Sequence, residues 1–243
     1  MFIPVGDDNS ARTRPPRVVW ALFGLNVGVW ALQLVLGERF TYGFSTVPAE
    51  ITGGVDLVEP QLMSVAGAGD VLIPQAPGPS PIQLTLLSAM FMHGSWMHII
   101  GNMAYLLIFG DQIEDLFGRL RFTLFFLACG ISAGCAHILA GPQSVVPSLG
   151  ASGAIAGVLG AYLLRFPTNP VYVLYFRGVA ALPAALVLGG WLLLQFVGQI
   201  TPTGTAGGVA YMAHLGGFVT GLLLTLFFAP RKRRRRDLRR EGG

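Results

Sequence analysis

Four histidines, His93, His98, His137 and His214, are the first residues here that could carry chemistry, because each stands in sequence with almost no charge around it. His98 and Asn102 lie one helical turn apart, so on a helix they project side by side, about 40° apart, and offer two adjacent hydrogen-bond donors. His93, five residues before His98, falls on a different face, and no Asp or Glu stands near it. That is not the spacing of a zinc helix, which uses histidines four apart with a carboxylate, and His93 is read as fixing the loop into the helix that follows. Ser152 opens a small-residue run, Gly150-Ala151-Ser152-Gly153-Ala154-Ile155-Ala156-Gly157. Gly153 and Gly157 form a G-x-x-x-G face suited to close helix packing. The soluble nucleophile elbow is not matched, since position 154 is Ala and no strand precedes it. Ser152 gains interest from its place at a helix N-terminus, where unpaired N–H groups and the positive dipole end favour a developing oxyanion. His214, Gly217 and Gly221 share one helix face, which can be brought against a second small-residue helix. A serine within reach of a histidine is a nucleophile with its base. No intramembrane carboxylate supplies a third member, so the chemistry is that of a Ser-His dyad; a hydrogen-bonded structural histidine is the standing alternative for each site.

The elements that must position these groups follow from where charge is missing. The chain has 243 residues, 53% of them hydrophobic and only 12% charged, with a mean hydropathy of +0.61. Soluble domains carry about 25% charge, so this surface is not one made for water, and a cytosolic enzyme or a disulfide-stapled secreted domain is excluded. Charge-free tracts cover 18–37, 71–110, 122–164 and 178–230. A spanning helix needs about 20 apolar residues. Gly141-Pro142-Gln143 breaks the third tract, 198–208 breaks the fourth, and Pro74, Pro77, Pro79 and Pro81 keep the start of the second from being helical. The result is an all-α polytopic membrane protein with six spans, near 18–37, 91–110, 121–139, 149–165, 181–198 and 209–229. The second begins within an amphipathic approach from Leu84. The first run is read as a retained span, not a cleaved signal peptide. Cys129 and Cys135, six residues and about 9 Å apart along a helix, cannot form a disulfide.

Lys and Arg orient the bundle. With residues 1–17 in the cytoplasm, so are the loops after spans 2 and 4 and the basic tail at 230–243. Fifteen of the sixteen cations then lie inside, and Arg39 alone lies outside. The run from Arg231 to Arg236 is read as a topology anchor near anionic lipid, and not as a nucleic-acid patch. The outer loop 38–81 is acidic, Gly- and Pro-rich and apolar enough to lie against the bilayer. Ser152 and His214 then sit at similar depth in the outer half of spans 4 and 6. Fifteen Arg against one Lys, with abundant Ala, Gly and Pro, points to a GC-rich genome and a bacterial plasma membrane.

Taken together, these residues resemble the rhomboid family of intramembrane serine proteases. The resemblance runs from about Ser88 to Phe228 and rests on His93-Gly94-Ser95-Trp96-Met97-His98-Ile99-Ile100-Gly101-Asn102, on Gly150-Ala151-Ser152-Gly153, and on Ala213-His214 with Gly217 and Gly221, in the family's order. Gly110, Glu114 and Gly118 match the family's G-x-x-x-E-x-x-x-G, in which the glutamate is structural. The resemblance implies a six-transmembrane-helix bundle with a water-accessible cavity, cleaving single-span membrane proteins in or beside the bilayer. Ser152 would be the nucleophile and His214 the base and then the acid. His98, Asn102 and the backbone at Gly150 and Ser152 would bind the oxyanion and the substrate. Gly217 and Gly221 would be structural, and no metal or cofactor would be needed. Two departures stand out: the position four after the serine, aromatic in some members, is Ala156, and the outer loop lacks the Trp-Arg pair of others. A catalytically inactive client-binding relative and a membrane transporter are the competing classes. The first requires a lost serine or histidine, and the second is disfavoured by the absence of Asp, Glu, Lys and Arg from the four tracts.

Overall fold

The computed structural model describes residues 3–65, 69–176, 178–200 and 210–228. Arg177 and the basic tail at 230–243 lie outside the described residues. The chain is mostly helical. Six longer helices, α1 (Arg17–Leu36), α5 (Trp96–Phe117), α6 (Arg119–Ala140), α7 (Ser152–Arg165), α8 (Ala184–Ile200) and α9 (Tyr211–Phe228), fall where apolar tracts predict spans. Among the described residues three of them, α1, α6 and α9, are long and apolar enough by themselves to cross a membrane; α7 and α8 are shorter apolar helices.

The expectation of an all-α chain is corrected in the connections. An N-terminal strand β1 (Ile3–Asp7) pairs antiparallel with β4 (Pro170–Tyr175), which pairs with β5 (Gly178–Pro183), so the segment between α7 and α8 is a hairpin. In β4 the valines Val171 and Val173 are buried while Tyr172 and Leu174 face out, the period-two pattern of a half-buried strand. The 38–81 segment also carries structure: short helices α2 (Glu38–Gly43) and α3 (Pro48–Gly53), then a hairpin of β2 (Gln61–Val65) and β3 (Gly69–Ile73). It is tied by hydrogen bonds to α4 and to the loop before α7. Ser88 Oγ donates to the Phe44 carbonyl (2.8 Å), Thr46 Oγ1 to that of Thr85 (2.8 Å), and Gln75 Nε2 to that of Val145 (2.6 Å). The approach to α5 is a short helix α4 (Thr85–Ser88) between two 3-10 turns, and α5 begins at Trp96, not at 91, because Ser95 Oγ caps it by accepting from the His98 N–H (3.1 Å).

Helix α7 is the axis of the fold. Every residue from Gly153 to Tyr162 is buried, as expected of a helix that is apolar all round. On one side of it, α9 approaches so closely that a Cβ on Gly217 would collide with the Gly153 carbonyl, and one on Gly221 with that of Gly157. Gly160 meets the Phe218 carbonyl in the same seam. On the other side, Phe109, Phe122, Phe125 and Phe126 fill the space between α5, α6 and α7.

The end of the bundle remote from Ser152 is tied by polar contacts. Glu114 of α5 accepts from the backbone N–H groups of Val18 (3.0 Å) and Val19 (2.8 Å), capping α1, which has no side-chain cap of its own. Gly118, at φ +77°, ends α5 and starts α6 in one residue. Asp7 of β1 accepts from the Tyr162 hydroxyl (2.5 Å) and Gln112 Nε2 (2.7 Å). Burial raises the Asp7 carboxyl above its ordinary value, and these two donors offset part of that rise. Arg12 pairs with Asp111 at 2.6 Å.

The α7–α9 seam yields a stability test. Gly221→Leu is expected to cost about 3 kcal/mol or more, roughly 6–12 °C in Tm, because the obstacle is backbone and cannot rotate away. Gly28→Ala on α1, where a Cβ meets nothing within 4 Å, should stay within about 1 kcal/mol of the parent. Thermal unfolding in detergent micelles separates the two.

Candidate active site

The glycine seam sets the register of the site. Helices α7 and α9 run in the same direction, with Gly153 against Gly217 and Gly157 against Gly221. One turn back along that seam, the first turn of α9 faces the N-terminus of α7, and His214 meets Ser152. His214 Nε2 is 2.8 Å from Ser152 Oγ, a hydrogen bond between the two side chains. Ser152 is the first residue of α7 and follows Ala151, so its own N–H is one of the amides the helix leaves unpaired.

The loop before α7 is pinned. Thr46 and Ser148 exchange backbone hydrogen bonds (2.9 and 2.8 Å), and the Gly150 N–H donates to the Ala89 carbonyl (2.8 Å). Gly150 has φ +127°, a conformation that side chains rarely adopt. A Cβ placed there would stand 2.7 Å from His98 Nε2 and 3.6 Å from Ser152 Oγ, so the His98 ring and the serine flank this glycine. His98 Nδ1 lies 3.5 Å from the Gly94 N–H, a long contact, and Nε2 is the nitrogen facing Gly150. Asn102, one turn along α5, is buried, and its Nδ2 has no hydrogen-bond partner among the described residues. An unpaired buried amide donor is rare and calls for an explanation. A cavity of about 40 Å³, lined by Ala89, Gly130, Ala133, Gly134, His137 and Gly153, adjoins Ser152.

His93 is buried edge-on against His98 with ring centroids 5.1 Å apart. Its backbone is held from α1: Gln33 Nε2 donates to the His93 carbonyl (2.8 Å), and Gln33 Oε1 accepts from the His93 N–H (2.9 Å). Through this pair α1 anchors the chain just before α5. His137 of α6 joins the cavity wall and not the Ser152–His214 pair.

Two residues beside His214 escaped the sequence reading. Position 156 carries the small, fully buried Ala156, and α8 supplies polar and aromatic contacts to the ring. Gln195 Oε1 lies 2.6 Å from His214 Nδ1. The Trp191 ring lies over the imidazole at 6.0 Å, tilted by 37°, and also packs on Phe218 at 6.3 Å. Gln195 was open to the same reasoning that singled out Asn102, as an amide inside an apolar helix. Its four-residue spacing from Trp191 puts both on one face.

A family model described as the Rhomboid domain matches residues 83–231, well over half the chain. RHOMBOID-like protein 5 of Arabidopsis thaliana is 30% identical over 139 residues, covering 57% of this chain and 42% of that protein. RHOMBOID-like protein 2 of the same plant is 35% identical over 139 residues, covering 57% and 40%. Rhomboid protein 1, mitochondrial, of Saccharomyces cerevisiae is 26% identical over 241 residues, covering 95% of this chain and 59% of that protein. The chain thus spans less than two thirds of the length of these relatives.

Gly150→Ala should disturb the site chiefly through His98, since its Cβ would collide with that ring and make only ordinary contact with Ser152 Oγ. The added methyl group needs a strained backbone and displaces the His98 ring, so any activity dependent on that ring should fall by at least about tenfold, the equivalent of 1.4 kcal/mol. Turnover of a transmembrane reporter by the variant, with Tm measured in parallel, checks this.

Proposed function

The chain belongs to the rhomboid family, and from that premise we propose that it is an intramembrane serine endopeptidase cleaving single-span membrane proteins within or next to their transmembrane segment. The observation that carries the reading is the 2.8 Å contact of Ser152 Oγ with His214 Nε2 at the N-terminus of a buried helix. The Ser152 oxygen attacks the scissile carbonyl as His214 Nε2 takes its proton. The carbonyl oxygen becomes an oxyanion, stabilised by the His98 Nε2–H, the Asn102 amide and the Ser152 N–H. His214 then gives the proton to the amide nitrogen, which leaves as the C–N bond breaks, and a water deprotonated by His214 Nε2 hydrolyses the acyl-enzyme.

Two of these donors have support in the geometry: His98 turns Nε2 toward Gly150, next to Ser152, and Asn102 holds an unspent donor in a buried position. The small cavity beside Ser152, about 40 Å³ and lined by glycines and alanines together with Leu86, Met90 and Leu149, suits a small substrate side chain and little more. An extended substrate segment is required, because a regular helix conceals its carbonyls, and this favours substrates whose spans contain helix-weakening residues.

The proposed topology has six spans, both termini in the cytoplasm of a bacterium and the site opening to the outer face of its plasma membrane. Several features favour it. The N-terminal strand, the β4–β5 hairpin and the end of α5 meet at one end of the bundle, close to Arg12, Arg14, Arg119 and Arg165. The 38–81 segment and the loop before Ser152 meet at the opposite end. Helix α7, with 14 residues, is roughly 21 Å long, against the ~30 Å of a bilayer core. With its far end near the cytoplasmic face, its N-terminus stops short of the outer surface, and Ser152 is reached through a recess. The proposed basic tail at 230–243 lies beside anionic lipid.

Ser152→Ala and His214→Ala should each abolish cleavage of a transmembrane reporter while folding is retained, and cleavage by the parent should persist in chelator. Full activity in Ser152→Ala would sink the mechanism. Asn102→Ala should keep measurable cleavage, since His98 and a backbone amide share its role; a folded but wholly inactive variant would contradict that sharing.

A further inference from the structure

We propose that Gln195 of α8 is a positioning residue, which holds His214 in the Nδ1–H tautomer and so extends the dyad to a Ser-His-Gln triad whose third member orients the base without taking a proton. This rests on the reading of Ser152 and His214 as nucleophile and base. The chemistry is set by which atom faces the ring. Gln195 presents its carbonyl oxygen Oε1 to His214 Nδ1 at 2.6 Å. A carbonyl oxygen only accepts, so Nδ1 must carry the ring proton, and Nε2 is left with its lone pair aimed at Ser152 Oγ, 2.8 Å away. The opposite tautomer would place an N–H against the serine and could not receive its proton.

Burial and packing point the same way. Gln195 is 9% exposed, while its helix neighbours Leu193 and Leu194 are 61% and 67% exposed. The amide is therefore turned into the bundle and away from the apolar face, where its hydrogen bonds would go unmet. A neutral amide suits this depth: a carboxylate would orient the ring equally well but would bury a charge, at a cost of several kcal/mol. Trp191, one turn earlier on the same helix, covers the imidazole face. Both contacts come from α8, so the base is ordered only while α8 lies against α9. Together with the Ser152 hydroxyl at Nε2, these two residues set the orientation of His214.

Among the described residues the titratable groups that face His214 are His98 of α5 and His137 of α6; α7 contributes Ser152, and α8 contributes the uncharged Gln195. Replacing that amide with a carboxylate therefore changes the polar partner of Nδ1. A carboxylate beside Nδ1–H favours the imidazolium, so the base is lost at a higher pH.

The experiment combines kinetics with the spectrum of the ring. In the parent, 15N NMR of histidine-labelled protein in micelles should show His214 as the Nδ1–H tautomer. Gln195→Leu should lower kcat between about tenfold and the 10²–10⁴ attributed to general base catalysis, with KM unchanged, since Gln195 does not reach the substrate. Gln195→Glu should retain cleavage and move the acidic limb of the kcat/KM profile to higher pH. A structural filler would not move that limb, so this variant decides the matter even if Gln195→Leu fails to fold. Parent-level kcat in folded Gln195→Leu, an unmoved acidic limb in Gln195→Glu, or an Nε2–H tautomer in the resting parent would each overturn the proposal. Those results alongside an inactive His214→Ala would remove only the role of Gln195; an active His214→Ala would remove the dyad beneath it.

Discussion

The backbones of α7 and α9 touch. Where residues 217 and 221 would carry side chains, the carbonyls of Gly153 and Gly157 already stand, and the distance between the helices is set by main chain, not by side-chain packing. Contacts of this kind suit an apolar surrounding, in which the hydrophobic effect does not press helices together and close approach must be gained from small residues. Because the contact is rigid, it fixes the axial register of the two helices. A one-residue slip along a helix is 1.5 Å of rise and 100° of rotation, enough to carry His214 away from the serine. The 2.8 Å hydrogen bond therefore depends on glycines one and two turns distant from it.

The rest of the molecule holds this pair in place and surrounds it with donors. Helix α5 brings His98 and Asn102 because Ser95 starts it one turn earlier, and its far end carries Glu114, which caps α1. Helix α1 in turn grips the backbone of His93 through Gln33, so the two ends of α5 are tied to α1 by different devices. Opposite the candidate site, β1, β4 and β5 close the bundle, with Asp7, Gln112, Tyr162 and Asn169 sharing hydrogen bonds around the buried end of α7. Polar order is thus concentrated at the two ends, and the middle is phenylalanine, leucine and glycine.

Much of this could be read from the chain because apolar surroundings leave few kinds of signal, and those are strong. The charge-free tracts located the long helices, and Gly141-Pro142 ended α6 at Ala140. The glycine spacing on either side of the seam showed which faces of α7 and α9 can meet. Other features depend on partners distant in sequence. Strand β1 pairs with β4 more than 160 residues later, and the alternation in Val171-Tyr172-Val173 is too short to outweigh the expectation of a plain loop between two spans. The 38–81 segment reads as irregular from its glycines and prolines, and its order comes from contacts to α4 and to the loop before Ser152. Gln195 shows the limit most clearly. A single amide in a leucine-rich helix has no spacing partner that names its target, and only the approach of α8 to α9 reveals the imidazole it faces.

In the proposed mechanism His214 makes Ser152 a nucleophile. A fluorophosphonate that reacts only with activated serines tests it without knowledge of the substrate. Treated in detergent and mapped by mass spectrometry, the protein should carry one adduct, on Ser152. In folded His214→Ala the labelling rate should drop by about 10²–10⁴, the range of a lost general base. An adduct on another serine, or an unchanged rate of Ser152 labelling without His214, would contradict the account.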